Sequence, residues 1–223
     1  MKAAAFLLAV AAAAAPLSAG PARQGTCLTF LVQSADYRGD LAVPRVLWHF
    51  EKAFSIPKTE PAYVLGVSLG FKAAKGSWEV AYLRSSPGGT FADALPASPV
   101  FHVLELNGRS FVLRRSAFHP YFLGGIGLPI LRIPHGAAYQ GRTYDAIYVG
   151  GGVNLGAGLA VDLGPRIVVS AGVMGRLAWF LYAYGGGKGR DINHLTEGYN
   201  GPRFGRLLRS TGLSLTVGLG FIL

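Results

Sequence analysis

The chain has 223 residues, of which 32 are Gly, 51% are hydrophobic and 14% are charged, with a formal net charge of +10 at pH 7. Gly stands at about twice and charge at about half of the usual proportions, which excludes a disordered chain and a helical bundle, where each interior Gly costs roughly 1 kcal/mol. The Gly residues follow no Gly-X-Y period, which excludes collagen, and the length fits one domain.

Residues 1–19 read as a secretory signal peptide. Lys2 supplies the positive start, residues 3–15 the apolar stretch, and Leu17-Ser18-Ala19 the small residues before a cleavage site. This apolar run is shorter than the ~20 residues that span a bilayer as a helix, and no later run of 18 apolar residues exists. Residues 20–223 are then the working domain. Cys27 is the one cysteine, and no C-x-x-C, H-E-x-x-H or clustered His/Cys occurs, so the sequence offers no motif for a metal or another cofactor.

A chain this apolar without a hydrophobic helix is reconciled by strands that alternate between lipid and lumen. Residues 26–34 give a first strand, with Leu28, Phe30 and Val32 on one face and Thr29 and Gln33 on the other. Residues 63–72 set Tyr63, Leu65, Val67, Leu69 and Phe71 against Gly66, Ser68, Gly70 and Lys72. After a short link at 73–75, residues 77–85 set Trp78, Val80 and Tyr82 against Ser77, Glu79 and Ala81. Residues 100–113 alternate less regularly, with Leu104, Leu106 and Val112 opposite Glu105, Asn107 and Arg109. A Gly-rich aromatic strand occupies 119–133. Residues 146–162 and 166–182 follow, joined by Gly164-Pro165. The last strand, 211–223, is the clearest: Leu213, Leu215, Val217, Leu219, Phe221 and Leu223 face one way, Gly212, Ser214, Thr216, Gly218 and Gly220 the other, with Ile222 the one mismatch. A helix, with its period of 3.6, would scatter these sets.

The links at 73–75, 114–118 and 163–165 are short; those at 35–62, 86–99, 134–145 and 183–210 are long. Short and long alternate along the chain, as short periplasmic turns and longer external loops do in outer-membrane barrels. The predicted fold is all-β: a transmembrane, antiparallel, up-and-down barrel, with eight strands. A soluble lipocalin-like barrel, which would bury the apolar faces inward, is the other arrangement open to the same alternation.

The segment His119-Pro120-Tyr121-Phe122-Leu123-Gly124-Gly125-Ile126-Gly127 resembles the P-Y-x-G-x-G-x-G strand of the small OmpA/OmpX/OmpW-like outer-membrane barrels of Gram-negative bacteria. Residues 149–158 with Leu163-Gly164-Pro165-Arg166 resemble the family's Gly-rich strand and turn. Gly218-Leu219-Gly220-Phe221-Ile222-Leu223 resembles its C-terminal assembly signal. The resemblance spans residues 63–223 and implies residence in the cell outer membrane, with the barrel-insertion machinery as a partner through the last strand.

Eight strands enclose an interior that side chains just fill. Glu79, Glu105, Arg109, Asp162 and Arg176 are the polar lumen candidates, and both signs should pair there, because an unpaired buried charge costs several kcal/mol. A structural ion-pair network, a narrow ion-conducting pore and a general acid/base carboxylate pair all remain open. Lys188, Arg190, Arg203, Arg206 and Arg209 concentrate in the last long loop against Asp191 and Glu197. Arg binds phosphate with a rigid fork, so this loop is a candidate contact for phosphorylated lipopolysaccharide; a merely solvated loop is the alternative. Nucleic acid is not an expected partner behind a signal peptide. Tyr63, Trp78, Tyr82, Tyr121, Trp179 and Tyr182 are candidates for the interfacial aromatic girdles.

Residues 39–61 place Trp48, Phe50, Phe54 and Ile56 among charges and between Pro44, Pro57 and Pro61. They suit an amphipathic helix on the membrane, a lid over the barrel mouth, or a loop with a local apolar cluster. Residues 185–189 read as a flexible loop tip, since the Gly-rich stretch lacks the Ser/Thr of a phosphate loop. Some barrels of this size are lipid A deacylases with a His-x-Ser element and a more distant Glu. The nearest match is His194-Leu195-Thr196 with Glu197 adjacent, a departure in both nucleophile and spacing, so the chain reads as non-enzymatic, with structural, surface-interaction or narrow-pore roles.

Overall fold

A computed structural model describes residues 24–113 and 117–223. The expected signal peptide lies outside the described residues, as do residues 114–116 of the expected turn. Eight strands form a closed antiparallel ring: β1 (Gly25–Ala35), β2 (Ala62–Ala73), β3 (Gly76–Ser85), β4 (Val100–Phe111), β5 (Phe118–Tyr139), β6 (Arg142–Leu163), β7 (Ile167–Gly185) and β8 (Leu208–Ile222). Each strand pairs with its chain neighbours, and β1 closes the ring on β8 from Cys27–Ile222 to Gln33–Thr216. Closure of β1 on β8 leaves the eight-stranded ring without an open edge, which a span through hydrocarbon requires.

The register shows how the ring closes. From Ile222 the paired residues run Cys27, Gly70, Glu79, Asn107, Gly125, Asn154 and Arg176, and return to β8 at Gly212, ten residues from the start. This stagger tilts the strands against the barrel axis.

Alternation sorts the side chains. Phe30, Val32, Leu65, Leu69, Trp78, Leu104, Phe122, Ile126, Leu155, Leu213 and Leu215 point outward and are exposed. Thr29, Gln33, Ser68, Glu79, Glu105, Asn107, Asn154, Ser170 and Ser214 point inward and are buried. That is the reverse of a soluble ligand-binding barrel and sets the lipocalin-like arrangement aside. Ile222 is itself turned inward, packed in a cluster with Phe111 and Val168.

The wall is uneven in height. β1–β4 have 10 to 12 residues each, whereas β5 and β6 have 22 and β7 has 19. The segment 134–145, expected as a loop, instead continues the β5–β6 ladder, with a register shift between Ile133 and Ala137. β7 likewise runs past its expected end and folds back through Gly186 and Gly187, both at positive φ, to pair with Lys188–Asp191. Residues 185–189 are therefore a hairpin turn.

Residues 39–61 form no α-helix. A 3-10 turn at Asp40–Ala42 leads into a hairpin of Arg45–His49 and Lys52–Ile56, which joins β5 through Phe54–Ala137. The hairpin lies over the loop end of the barrel. There Leu41, Leu47, Phe54 and Ile56 share an apolar cluster with Leu131, Ile133, Tyr148, Phe180 and Leu208. One carboxylate fastens this cap. Asp40 is buried and accepts from Arg206 Nη2 at 2.6 Å and Nη1 at 3.2 Å and from the Arg209 backbone N–H at 2.9 Å, with Arg45 Nη2 at 3.3 Å.

Gly125 sits where a Cβ would lie 2.1 Å from Asn107 Oδ1 and 2.5 Å from Asn154 Oδ1, while at Gly151 nothing lies within 4 Å. Gly125→Ala is expected to destabilise the barrel by about 1–3 kcal/mol, as overpacking does. Gly151→Ala is the neutral control. The temperature at which gel mobility shifts on heating reads both.

Candidate functional site

The lumen chemistry is set by strand phase. Glu79, Asn107, Asn154 and Arg176 occupy the one paired row described above, and Glu105 and Arg109 flank Asn107 by two residues on the same face of β4. Acid, amide and base therefore stack along one strand and meet partners from β3, β6 and β7.

Two ion pairs result. Glu79 accepts from Arg109 Nη2 at 2.8 Å and from Ser68 Oγ at 3.0 Å, and the Arg109 guanidinium stands 5.1 Å from the Tyr121 ring centre. Glu105 accepts from Arg176 Nε at 2.7 Å and from Asn107 Nδ2 at 3.1 Å. Asn107 Oδ1 in turn accepts from Asn154 Nδ2 at 2.9 Å, and Arg176 Nη1 donates to Ser214 Oγ at 2.8 Å. Each carboxylate has its own Arg, so the two do not meet as an acid/base pair. Asp162, the fifth lumen candidate, stands apart near the turn end. It joins Lys72 and faces His119 Nε2 at 3.1 Å, while His119 Nδ1 donates to the Leu113 carbonyl at 3.0 Å.

These groups divide the interior. A cavity of about 80 Å³ lies between the Glu105–Arg176 pair and Tyr37, Phe101 and Phe180 of the capped end. One of about 20 Å³ lies between the two ion pairs, beside Gln33 and Thr216, and one of about 30 Å³ lies below Glu79 and Arg109, beside Lys72 and Cys27. Each of the two smaller spaces is of the order of a single water site.

Tyr121 departs from its expected girdle position: it is buried inside the barrel, because β5 points His119, Tyr121 and Leu123 inward and Phe122 and Ile126 outward. Gly158 and Gly172 make its place, since a Cβ at either would lie 2.6 or 2.9 Å from its hydroxyl. Tyr63, Trp78, Tyr82 and Tyr182 are exposed on the outer wall, and Trp179 is half-buried.

At the loop end the basic residues divide. Lys188 pairs with Gly185 through the backbone. Arg190 Nε donates to His49 Nδ1 at 3.3 Å. Arg203 is exposed beside Thr196, Arg209 is exposed opposite Trp179, and Arg206 is committed to Asp40. The Thr196 hydroxyl lies 3.3 Å from the Trp48 carbonyl and 3.0 Å from that of Gly198, and Glu197 faces Arg45 at 3.5 Å. Nothing in this arrangement hands the Thr196 proton to His194.

Lys72, His119, Asn107 and Asn154 complete the lumen network without having been picked out as part of it. Their signal was present, since each falls in the inward phase of its strand. Asp40 carried no comparable signal, lying in a stretch without periodicity.

No family model matches the chain, and no curated protein matches it. Among solved structures, neisserial surface protein A (NspA) superposes over 90% of this chain and 99% of its own, with a TM-score of 0.54 and 13% identity. The N-terminal β-barrel domain of Pseudomonas aeruginosa OprF superposes over 89% of this chain and 100% of its own, with a TM-score of 0.40 and 14% identity. The fold is that of the small Gram-negative outer-membrane barrels.

Arg109→Met leaves Glu79 buried without its cation and is expected to cost about 3–5 kcal/mol. Glu79→Gln combined with Arg109→Met should cost clearly less than the two single changes added, and equilibrium unfolding in urea reads the coupling.

Partial burial, with Arg190 adding to it, holds the His49 imidazole below its ordinary value. A folded-state value below the unfolded one gives stability that is present above the ordinary imidazole range and is lost as pH falls through the folded value. Acidification toward about pH 5 is therefore expected to lower amide-exchange protection at 188–191 relative to the intrinsic rate at each pH, and His49→Gln to remove that pH dependence.

Proposed function

We propose that the chain is a non-enzymatic outer-membrane protein: a barrel with a closed lumen that presents a basic external platform to phosphorylated lipopolysaccharide headgroups. The observation that carries this reading is the obstruction of the interior. Two ion pairs cross the lumen, and an apolar cap covers its loop end. What is left for interaction is the outer surface.

The short links between β2 and β3 and between β6 and β7 lie at the same end as the start of β1 and the end of β8, which the usual topology of such barrels puts in the periplasm. The tall wall and the capping hairpin then face outward. Lys188, Arg203 and Arg209 belong to that outer end, where each basic residue near an anionic surface contributes about 1 kcal/mol. The inward-turned glycines of β8 and the outward Leu213–Phe221 series suit recognition by the barrel-insertion machinery.

A second reading, a narrow pore, draws on the file of small cavities separated only by Glu79–Arg109 and Glu105–Arg176. In planar bilayers the closed barrel should show no unitary current steps; steady steps would favour the pore. Vesicles carrying lipopolysaccharide should bind the wild type about 100-fold more tightly than a triple Lys188→Gln, Arg203→Gln, Arg209→Gln variant, and equal binding would sink the platform. Fatty-acid release from lipid A that His194→Ala abolishes would overturn the non-enzymatic assignment.

A further inference from the structure

A groove larger than any of the three lumen cavities lies outside the lumen, and neither the ion pairs nor the cap explains it. Four separate segments converge on it: the hairpin tip at His49, Phe50, Glu51 and Lys52; Tyr139 at the end of β5; Gly186 and Arg190 beyond β7; and Tyr199 and Asn200 in the last loop. The groove has a volume of about 410 Å³, within the range of small-molecule sites.

Its chemistry is mixed in a particular way. Phe50 is 83% exposed and Tyr199 is 61% exposed. Both stand on the loop-end segments, away from the strands that carry the apolar belt. Each is steadied by a neighbouring ring: Tyr199 edge-on to Trp48 at 5.3 Å, Phe50 edge-on to His49 at 4.6 Å. Phe50 also keeps a left-handed backbone, at φ 53°, which a bulky residue adopts at a cost. Two cations share the groove. Lys52 Nζ donates to the Gly185 carbonyl at 2.6 Å and stands 5.3 Å from the Tyr139 ring centre. Arg190 is oriented by His49 and by the Gly189 carbonyl, 3.3 Å from its Nη1. Against them stands the single carboxylate of Glu51.

We propose that this groove binds an acidic sugar, with the ring faces of Phe50 and Tyr199 receiving the apolar face of the pyranose and Arg190 receiving its carboxylate or phosphate. A flat ring with one apolar face matches exposed aromatic surfaces. An anion matches an oriented guanidinium with a second cation nearby. The Asn200 amide and the Glu51 carboxylate offer partners for hydroxyl groups. The inference rests on the outward placement of the loop end. The sugar has two possible sources, the acidic core of lipopolysaccharide in the same leaflet or a glycan of another surface.

The test uses the full chain in detergent micelles, with hexagalacturonate as the acidic probe and maltohexaose as the neutral one, by calorimetric titration. Hexagalacturonate should bind in preference to maltohexaose. Arg190→Gln and, separately, Tyr199→Ala should each weaken it about tenfold, the scale of one charge-assisted contact, with unchanged heat-modifiability to show intact barrels. Failure of hexagalacturonate to bind, or binding indifferent to Arg190→Gln, overturns the proposal. Displacement by lipopolysaccharide bearing its core, but not by lipid A, assigns the site to the protein's own leaflet; no displacement by either assigns it to a glycan from elsewhere, and the site stands in both cases. Loss of vesicle binding in the Lys188/Arg203/Arg209 variant with hexagalacturonate binding intact keeps the platform and the groove separable.

Discussion

An eight-stranded ring staggered by ten residues leaves no room for a charge without a partner beside it. That constraint governs the interior. Glu79 and Glu105 are each answered by one Arg at bonding distance, and further hydrogen bonds run to Ser68, Ser214, Asn107 and Asn154. Low local dielectric strengthens such a network while it is complete and penalises any gap in it. The glycines of β5, β6 and β7 belong to the same solution: Gly125 clears the amide bridge, and Gly158 and Gly172 clear the Tyr121 ring over which Arg109 sits.

The two ends of the barrel are closed by different chemistry. At the turn end Asp162 gathers Lys72 and His119, a polar latch linking β2, β5 and β6. At the loop end the seal is apolar, and a soluble-style core forms between the tall wall and the hairpin laid over it. Asp40 ties that hairpin to the last loop through Arg206 and Arg45. The extra height of β5–β7 supplies the surface against which the cap packs.

The barrel was legible from the sequence because a period of two survives in most of the wall strands; 211–223 alone nearly dictates its own facing. The inward positions of Glu79, Glu105, Arg109 and Arg176 follow from the same phase. Which of them meet does not, since that depends on the stagger, a property of the closed ring and of no single strand. The loop end was hardest to read. Pro134 and Gly141 argue for a loop at 134–145, yet the ladder continues across both, sustained by packing against the cap. The hairpin at 45–56 turns on Phe50 without the Asn-Gly or Gly pair that announces such turns. Tyr121 shows that an aromatic near a strand end belongs to the girdle only if its phase is outward.

Closure between β1 and β8 also has a kinetic side. Every other wall pairing joins strands adjacent in the chain, so each closes a far shorter loop than the seam does. The seam joins Cys27 to Ile222 and must bring the two extremes of the domain together. Loop-closure entropy makes such long-range pairing late and slow. Until it forms, the sheet has two free edges, at β1 and at β8, and each is a template for strands of another chain. The seam is therefore the point in assembly at which aggregation competes with folding, and small residues such as Gly218 and Gly220 on its inner face let the two strands meet without first rearranging bulky side chains.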